Sequence, residues 1–107
     1  MQSYQQLTIS AITRYEVVRG LKEKGATRQL QGFAAFCQRS LILAITDDVL
    51  DGAADLWVTA HKAGLPKKDA DLIIASTAHV HGLVLVTGNT VHFSWIPGLT
   101  VVDWRLP

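Results

Sequence analysis

The sequence predicts an α/β protein with a mostly parallel sheet, and three observations lead there. Three short apolar runs, Leu41–Thr46, Leu83–Thr87 and Leu99–Asp103, have strand length. Segments with apolar residues at helical spacing lie between and before them. Glycines stand where those helical patterns end, at Gly25, Gly64 and Gly82. Strands alternating with helices read as βαβ units with helices packed on both faces of the sheet.

Each element follows from its residues in order. Leu7–Ser10 is rich in strand formers and runs directly into a helical pattern. From Ala11 to Leu21, Ile12, Tyr15, Val18 and Leu21 form one stripe, which Gly25 ends. Thr27 is placed to cap a second helix carrying Leu30, Phe33, Ala34 and Phe36, closed at Ser40. Leu41–Thr46 is continuously apolar up to Thr46, the pattern of a strand covered on both faces. Asp47 and Asp48 offer caps for a helix to Lys62, with Ala53, Leu56, Trp57 and Ala60 on one face and Gly64 and Pro66 beyond its end. A further helix is expected over Asp69–His81, then Gly82, the buried strand Leu83–Thr87, a loop through Pro97-Gly98, and the last strand.

Composition bounds the function. The chain has 107 residues, 49% of them hydrophobic and 18% charged, which is one domain's length and too apolar for disorder. Net charge is +1, without an acidic tail or basic block, so a nucleic-acid partner is neither demanded nor excluded. No apolar run approaches the ~20 residues needed to span a bilayer, and Met1–Ser10 lacks the pattern of a signal peptide. A cytoplasmic protein is expected, with the single Cys37 as a buried thiol. Trp57, Trp95 and Trp104 read as core or interface, Trp95 being the most exposed.

In parallel sheets, chemistry collects where strands end. Glu16 lies one turn into the first helix; it can present a carboxylate to a divalent cation, or serve a capping box with Thr13. Asp69 and Asp71 open the helix before Leu83, where they complement the helix dipole and can cap it. Two residues apart, they point to different sides, so at most one aims at a shared site. Thr87-Gly88-Asn89-Thr90 brings a hydroxyl and an amide to the end of its strand, or is an ordinary polar turn; His92 follows. His79 and His81 lack the spacing for a shared metal, and the sequence has no glycine-rich phosphate loop, G-x-S-x-G or C-x-x-C motif. The basic residues Arg14, Arg19, Lys22, Lys24, Arg28, Lys62, Lys67 and Lys68 are too scattered to define an RNA-binding patch.

Three strings, in order, resemble one family. Thr8–Gly20 looks like a strand and helix of PIN domains of the VapC-like toxin group, with Glu16 on the site glutamate of their S-x-x-T-x-x-E-x-x-x-G signature. Gly64-Leu65-Pro66 followed by Asp69–Ala75 is similar to the second motif, whose aspartate before an apolar run is Asp71. Leu85–Phe93, then Ile96–Leu99 and Asp103-Trp104, resembles the closing motif, with Asn89 on its third site position. The resemblance implies a three-layer α/β/α PIN-like fold and a Mg²⁺- or Mn²⁺-dependent endoribonuclease toxin. It implies RNA as substrate and a small antitoxin as partner. Glu16, Asp71 and Asn89 would be catalytic, Glu16 and Asp71 would hold the metal, and Asp69, Thr87 and His92 are secondary candidates.

The resemblance also carries departures. PIN domains have an apolar strand ending in an aspartate ahead of the segment matching Thr8, and Met1–Gln6 contains no acid. The expectation is one truncated domain over residues 1–107, its first central strand and that aspartate missing. A homodimer or a split partner would then supply the strand, and an inactive remnant that binds a partner is the alternative function. His92 stands where the closing motif commonly has an acid, and Gly88 where it has asparagine.

Overall fold

In the computed structural model, residues 8–87 and 89–103 are described. Met1–Gln6, Leu7, Gly88 and Trp104, each used in the sequence reading, lie outside them. The chain forms two compact units, Met1–Ala44 and Ile45–Pro107. Both are built on parallel strand pairs, as the alternating pattern required.

In the first unit the order is β1 (Thr8–Ser10), α1 (Ala11–Glu23), α2 (Thr27–Gln38) and β2 (Leu41–Leu43). β1 and β2 pair in parallel, Ile9 opposite Ile42, with the two helices as their crossover. Ser10 caps α1: its hydroxyl accepts from the Thr13 backbone N–H at 3.1 Å and shares a hydrogen bond with the Thr13 hydroxyl. Thr13 is therefore three residues inside the helix and forms no capping box with Glu16. Thr27 is the first residue of α2 rather than its cap; Ala26 holds the cap position without a side-chain bond. Ser40 closes α2 as expected, its hydroxyl donating to the Phe36 carbonyl at 2.8 Å. Phe33 and Phe36 stack at 5.9 Å, and Cys37 is half-buried. β2 is shorter than the apolar run predicted. Leu41 is exposed, and Thr46 leaves the strand because its hydroxyl is needed to cap the next helix.

The second unit runs through α3 (Asp47–Lys62), α4 (Asp69–Val80), β3 (Leu85–Thr87), a 3₁₀ turn (Thr90–His92) and β4 (Val101–Asp103). Thr46, not Asp47 or Asp48, caps α3, accepting from the Val49 N–H at 3.3 Å; the two aspartates sit in the first turn, where they favour the positive end of the helix dipole. α3 and α4 pack closely. Val49, Ala53 and Ala60 meet a helix that buries Leu72, Ala75, Ser76, Thr77 and Ala78. Gly52 makes this approach possible, since a Cβ there would overlap the Ser76 hydroxyl. That hydroxyl, fully buried, donates to the Val49 carbonyl at 2.7 Å and ties the helices together. Trp57, expected on the packed face, is exposed and stacks on His61 at 4.8 Å.

The end of α4 explains why β3 begins late. Gly82 takes a left-handed conformation (φ 64°), its N–H donating to the His79 carbonyl. The Leu83 N–H then reaches back to the Ala78 carbonyl at 2.8 Å, a Schellman motif that commits Leu83 to the helix end. β3 therefore starts at Leu85 and pairs in parallel with β4, Leu85 opposite Val101 and Thr87 opposite Asp103. Leu85 and Val101 face a core of Ala75, Phe93 and Ile96. The alternate residues Val84, Val86 and Val102 are exposed, so this strand pair is covered on one face rather than two. Among the described residues β1 pairs only with β2, and β3 only with β4.

Candidate functional site

Pro66 ends any continuation of α3, and the chain through Lys68 is extended before α4 begins (Lys68 φ −117°, ψ 127°). No side chain caps α4; Asp69 is its first residue and Asp71 its third. Both therefore serve the dipole without being consumed as caps. Their two-residue spacing separates them as expected. Asp69 is exposed, while the Asp71 carboxylate is partly buried, with its Oδ2 3.2 Å from Nδ1 of His92.

His92 reaches Asp71 because of the turn after β3. The Thr87 hydroxyl accepts the Asn89 N–H at 3.0 Å, starting the turn at the strand's end. The 3₁₀ turn follows and leaves His92 at its close. The His92 carbonyl accepts the indole Nε1–H of Trp95 at 2.8 Å, and the His92 ring leans on Phe93 at 6.3 Å. Phe93 is buried in the core, so the turn is anchored from beneath. Together these elements enclose a cavity of about 400 Å³, lined by Asp71, His92, Lys68, Trp95 and the apolar Leu65, Pro66, Leu72 and Val91.

Of the site residues read from the sequence, Asp71 and His92 meet here. Thr87 and Asn89 shape the turn but do not line the cavity, and Asp69 stays outside it. Glu16 belongs to the first unit, half-buried on α1, its carboxylate without a hydrogen bond or ion pair to any described residue. Beside it the Arg19 guanidinium lies 5.3 Å over the Tyr15 ring. The sequence reading did not single out Lys68 or Trp95 for the site. Lys68 sat in a scatter of basic residues, and the indole's bond to a backbone carbonyl has no sequence signature.

Among the described residues no three or more His, Cys, Asp or Glu side chains gather as a ready-made metal cage. The donor chemistry still suits a hard divalent cation. Mg²⁺ typically takes one or two carboxylates and completes its shell with water and substrate phosphate. Asp71 presents such a carboxylate at the cavity wall, oriented by the imidazole beside it.

Asp71 in the first turn of α4 and His92 after the end of β3 bring an acid and an imidazole together at one edge of a parallel α/β unit, where such folds collect ligands. The chain belongs to the PIN domain family, whose model matches residues 2–97. It is 30% identical over 99 residues to the tRNA(fMet)-specific endonuclease VapC of Salmonella typhimurium, a match covering 92% of this chain and 75% of that protein. Its structure is similar to that of VapBC2 from Rickettsia felis bound to a promoter DNA fragment, with TM-score 0.83, 28% identity, and 94% and 76% of the two chains covered. It is also similar to a toxin–antitoxin complex from Klebsiella pneumoniae, with TM-score 0.71, 34% identity, and 94% and 76% covered.

Proposed function

We propose that this protein is a divalent-metal-dependent endoribonuclease and the toxin half of a toxin–antitoxin pair, working in the cytoplasm. The observation that carries the reading is Asp71. It occupies the first turn of α4 at the position of the family's motif, is not spent as a cap, and opens on a cavity beside His92. Family membership and the likeness to a named endonuclease and a toxin–antitoxin complex support the activity and the antitoxin partner. The family match runs across both compact units, which supports reading them as one domain. No helix among the described residues is long and apolar enough to cross a membrane, which is compatible with the cytoplasmic assignment.

In this reading Glu16 and Asp71 are the carboxylates that would hold Mg²⁺ or Mn²⁺. The cation would activate water and offset charge on the scissile phosphate. His92 fixes the Asp71 carboxylate, a positioning role. Lys68 supplies positive charge at the cavity, where a phosphate would lie. Asn89 presents its amide at the end of β3 as the third site residue. In this reading the chain works with a second copy of itself or with a split partner.

The test is RNA cleavage by the purified chain with Mg²⁺ or Mn²⁺. Cleavage is expected, and EDTA, Asp71→Asn or Glu16→Gln is expected to abolish it. Cutting that survives all three would overturn the site. A wild-type chain that binds its antitoxin yet never cleaves would identify the inactive binding module instead. Sedimentation at micromolar concentration checks assembly; a well-folded monomer contradicts that partner.

A further inference from the structure

We propose, resting on the ribonuclease reading, that the cavity beside Asp71 is a nucleobase subsite. It receives one unstacked base of single-stranded RNA, with Trp95 as its aromatic wall and Lys68 toward the adjoining phosphate.

The lining divides by chemistry. Leu65, Pro66, Leu72, Val91 and Trp95 supply apolar walls, whereas Lys68, Asp71 and His92 supply the polar groups. At about 400 Å³ the cavity is large enough for a planar ligand, within the range of small-molecule sites. A nucleotide has this same division, an apolar ring face joined to an anion. A hydrophobic protein side chain would fill the walls but leave the lysine and the metal-binding carboxylate without a counterpart.

Trp95 is built for stacking. Its Nε1–H is held at 2.8 Å by the His92 carbonyl, and it packs against the cluster of Ala75, Phe93 and Ile96. The indole is thus fixed before any ligand arrives, which lowers the ordering cost of binding. The same peptide segment carries the His92 ring to Asp71. One rigid turn therefore positions both the stacking wall and the group that orients the metal-binding acid. A base held there sets the register of the adjoining phosphate at the metal. Val91 completes the argument: it is 76% exposed, an aliphatic side chain at the cavity with little folding role of its own.

Base stacking on an aromatic side chain typically changes affinity about 5- to 150-fold. The experiment compares fluorescence anisotropy of labelled octauridylate or octaadenylate with that of an abasic ribose octamer of equal charge. It uses the full chain, in EDTA so that nothing is cut. Wild type is expected to bind at least one intact octamer about 5- to 150-fold tighter than the abasic one. Trp95→Leu should shrink that ratio to below about twofold, while Trp95→Phe, which keeps a ring, should retain most of it. Should Trp95→Leu fail to fold, Val91→Glu at the exposed lip gives the same test and should also collapse the ratio.

Equal binding of intact and abasic octamers by wild type would overturn the proposal. So would a ratio unchanged by both Val91→Glu and a folded Trp95→Leu. If those variants keep the base preference but lose the antitoxin, the cavity belongs to the protein partner, which also overturns it. The outcomes separate from those of the underlying reading. Metal-dependent cleavage with no base preference sinks only the subsite. Base-dependent binding by a chain that never cleaves sinks the ribonuclease and leaves an RNA-binding cavity.

Discussion

The two helices that carry the candidate metal-binding acids are held in different ways. α4 is built into its unit: five of its residues are buried, it shares a buried hydrogen bond with α3, and its first turn is braced by the loop that carries His92. α1 has no fully buried residue and is secured at its start by the Ser10 cap and by packing on β1, β2 and α2. Asp71 has an imidazole at 3.2 Å, whereas the Glu16 carboxylate makes no hydrogen bond or ion pair with a described residue. The contrast separates two ways of presenting a carboxylate. Asp71 is pre-positioned by a packed shell, and in the proposed nuclease Glu16 would take its final orientation from what it binds. In the proposed nuclease the first supplies geometry and the second supplies charge.

The largest effect that would break this contrast lies at the acids. Asp71→Asn should lower metal-dependent RNA cleavage by about 10²-fold or more, because the amide keeps the shape and loses the charge that fixes the cation. Glu16→Gln should also abolish detectable turnover, but excess Mn²⁺ should recover more of the Glu16→Gln activity, since the pre-positioned ligand remains. Titration of activity with Mn²⁺ checks the ordering; equal recovery removes the distinction.

Next is the bracing of Asp71. His92→Ala removes a ring that is 40% exposed, so folding should be unaffected. Cleavage or metal affinity should fall about 10- to 100-fold, the usual cost of losing a group that orients a metal ligand. A shift in the Mn²⁺ concentration for half-maximal activity, with an unchanged melting temperature, is the expected signature.

The packing of α4 can be tested by stability. Gly→Ala inside a helix ordinarily gains up to about 1 kcal/mol. At Gly52 the sign should reverse, because the new methyl meets the Ser76 hydroxyl. A loss of about 1–3 kcal/mol is expected, a drop of several degrees in melting temperature. In a Ser76→Ala background the same substitution should cost less, and a double-mutant cycle by thermal denaturation measures the coupling.

The smallest effect belongs to α1. Ser10→Ala removes the cap that holds its start and should cost about 0.5–2 kcal/mol. If Glu16 is the adaptable partner, this frayed start should shift the Mn²⁺ concentration for half-maximal cleavage less than His92→Ala does.

Much of this was legible in the sequence, for physical reasons. Helix ends were legible because glycine is the residue that tolerates the left-handed turn there, as at Gly82. The parallel pairing followed from strands separated by helices; Asp71 stood out only through the family resemblance, since its position alone reads equally well as an acid serving the helix dipole. Helix starts were less legible, since several neighbouring side chains can cap. Thr46 and Ser10 took caps that Asp47, Asp48 and the Thr13–Glu16 box could have filled. Strand burial was misjudged at Leu41, Val84 and Val86, because an apolar run does not reveal how many neighbours its strand will have. The Asp71–His92 approach spans 21 positions and depends on a turn whose bonds no periodicity encodes, so the cavity with Lys68 and Trp95 emerged only from the fold.

The central proposal is that Glu16 and Asp71 are ligands for a divalent ion. Mn²⁺ binding to the purified chain, followed by electron paramagnetic resonance, tests it most directly. The account predicts bound Mn²⁺ that is weakened by Asp71→Asn and by Glu16→Gln alike, and weakened further in the double variant. Binding that ignores either substitution would contradict it.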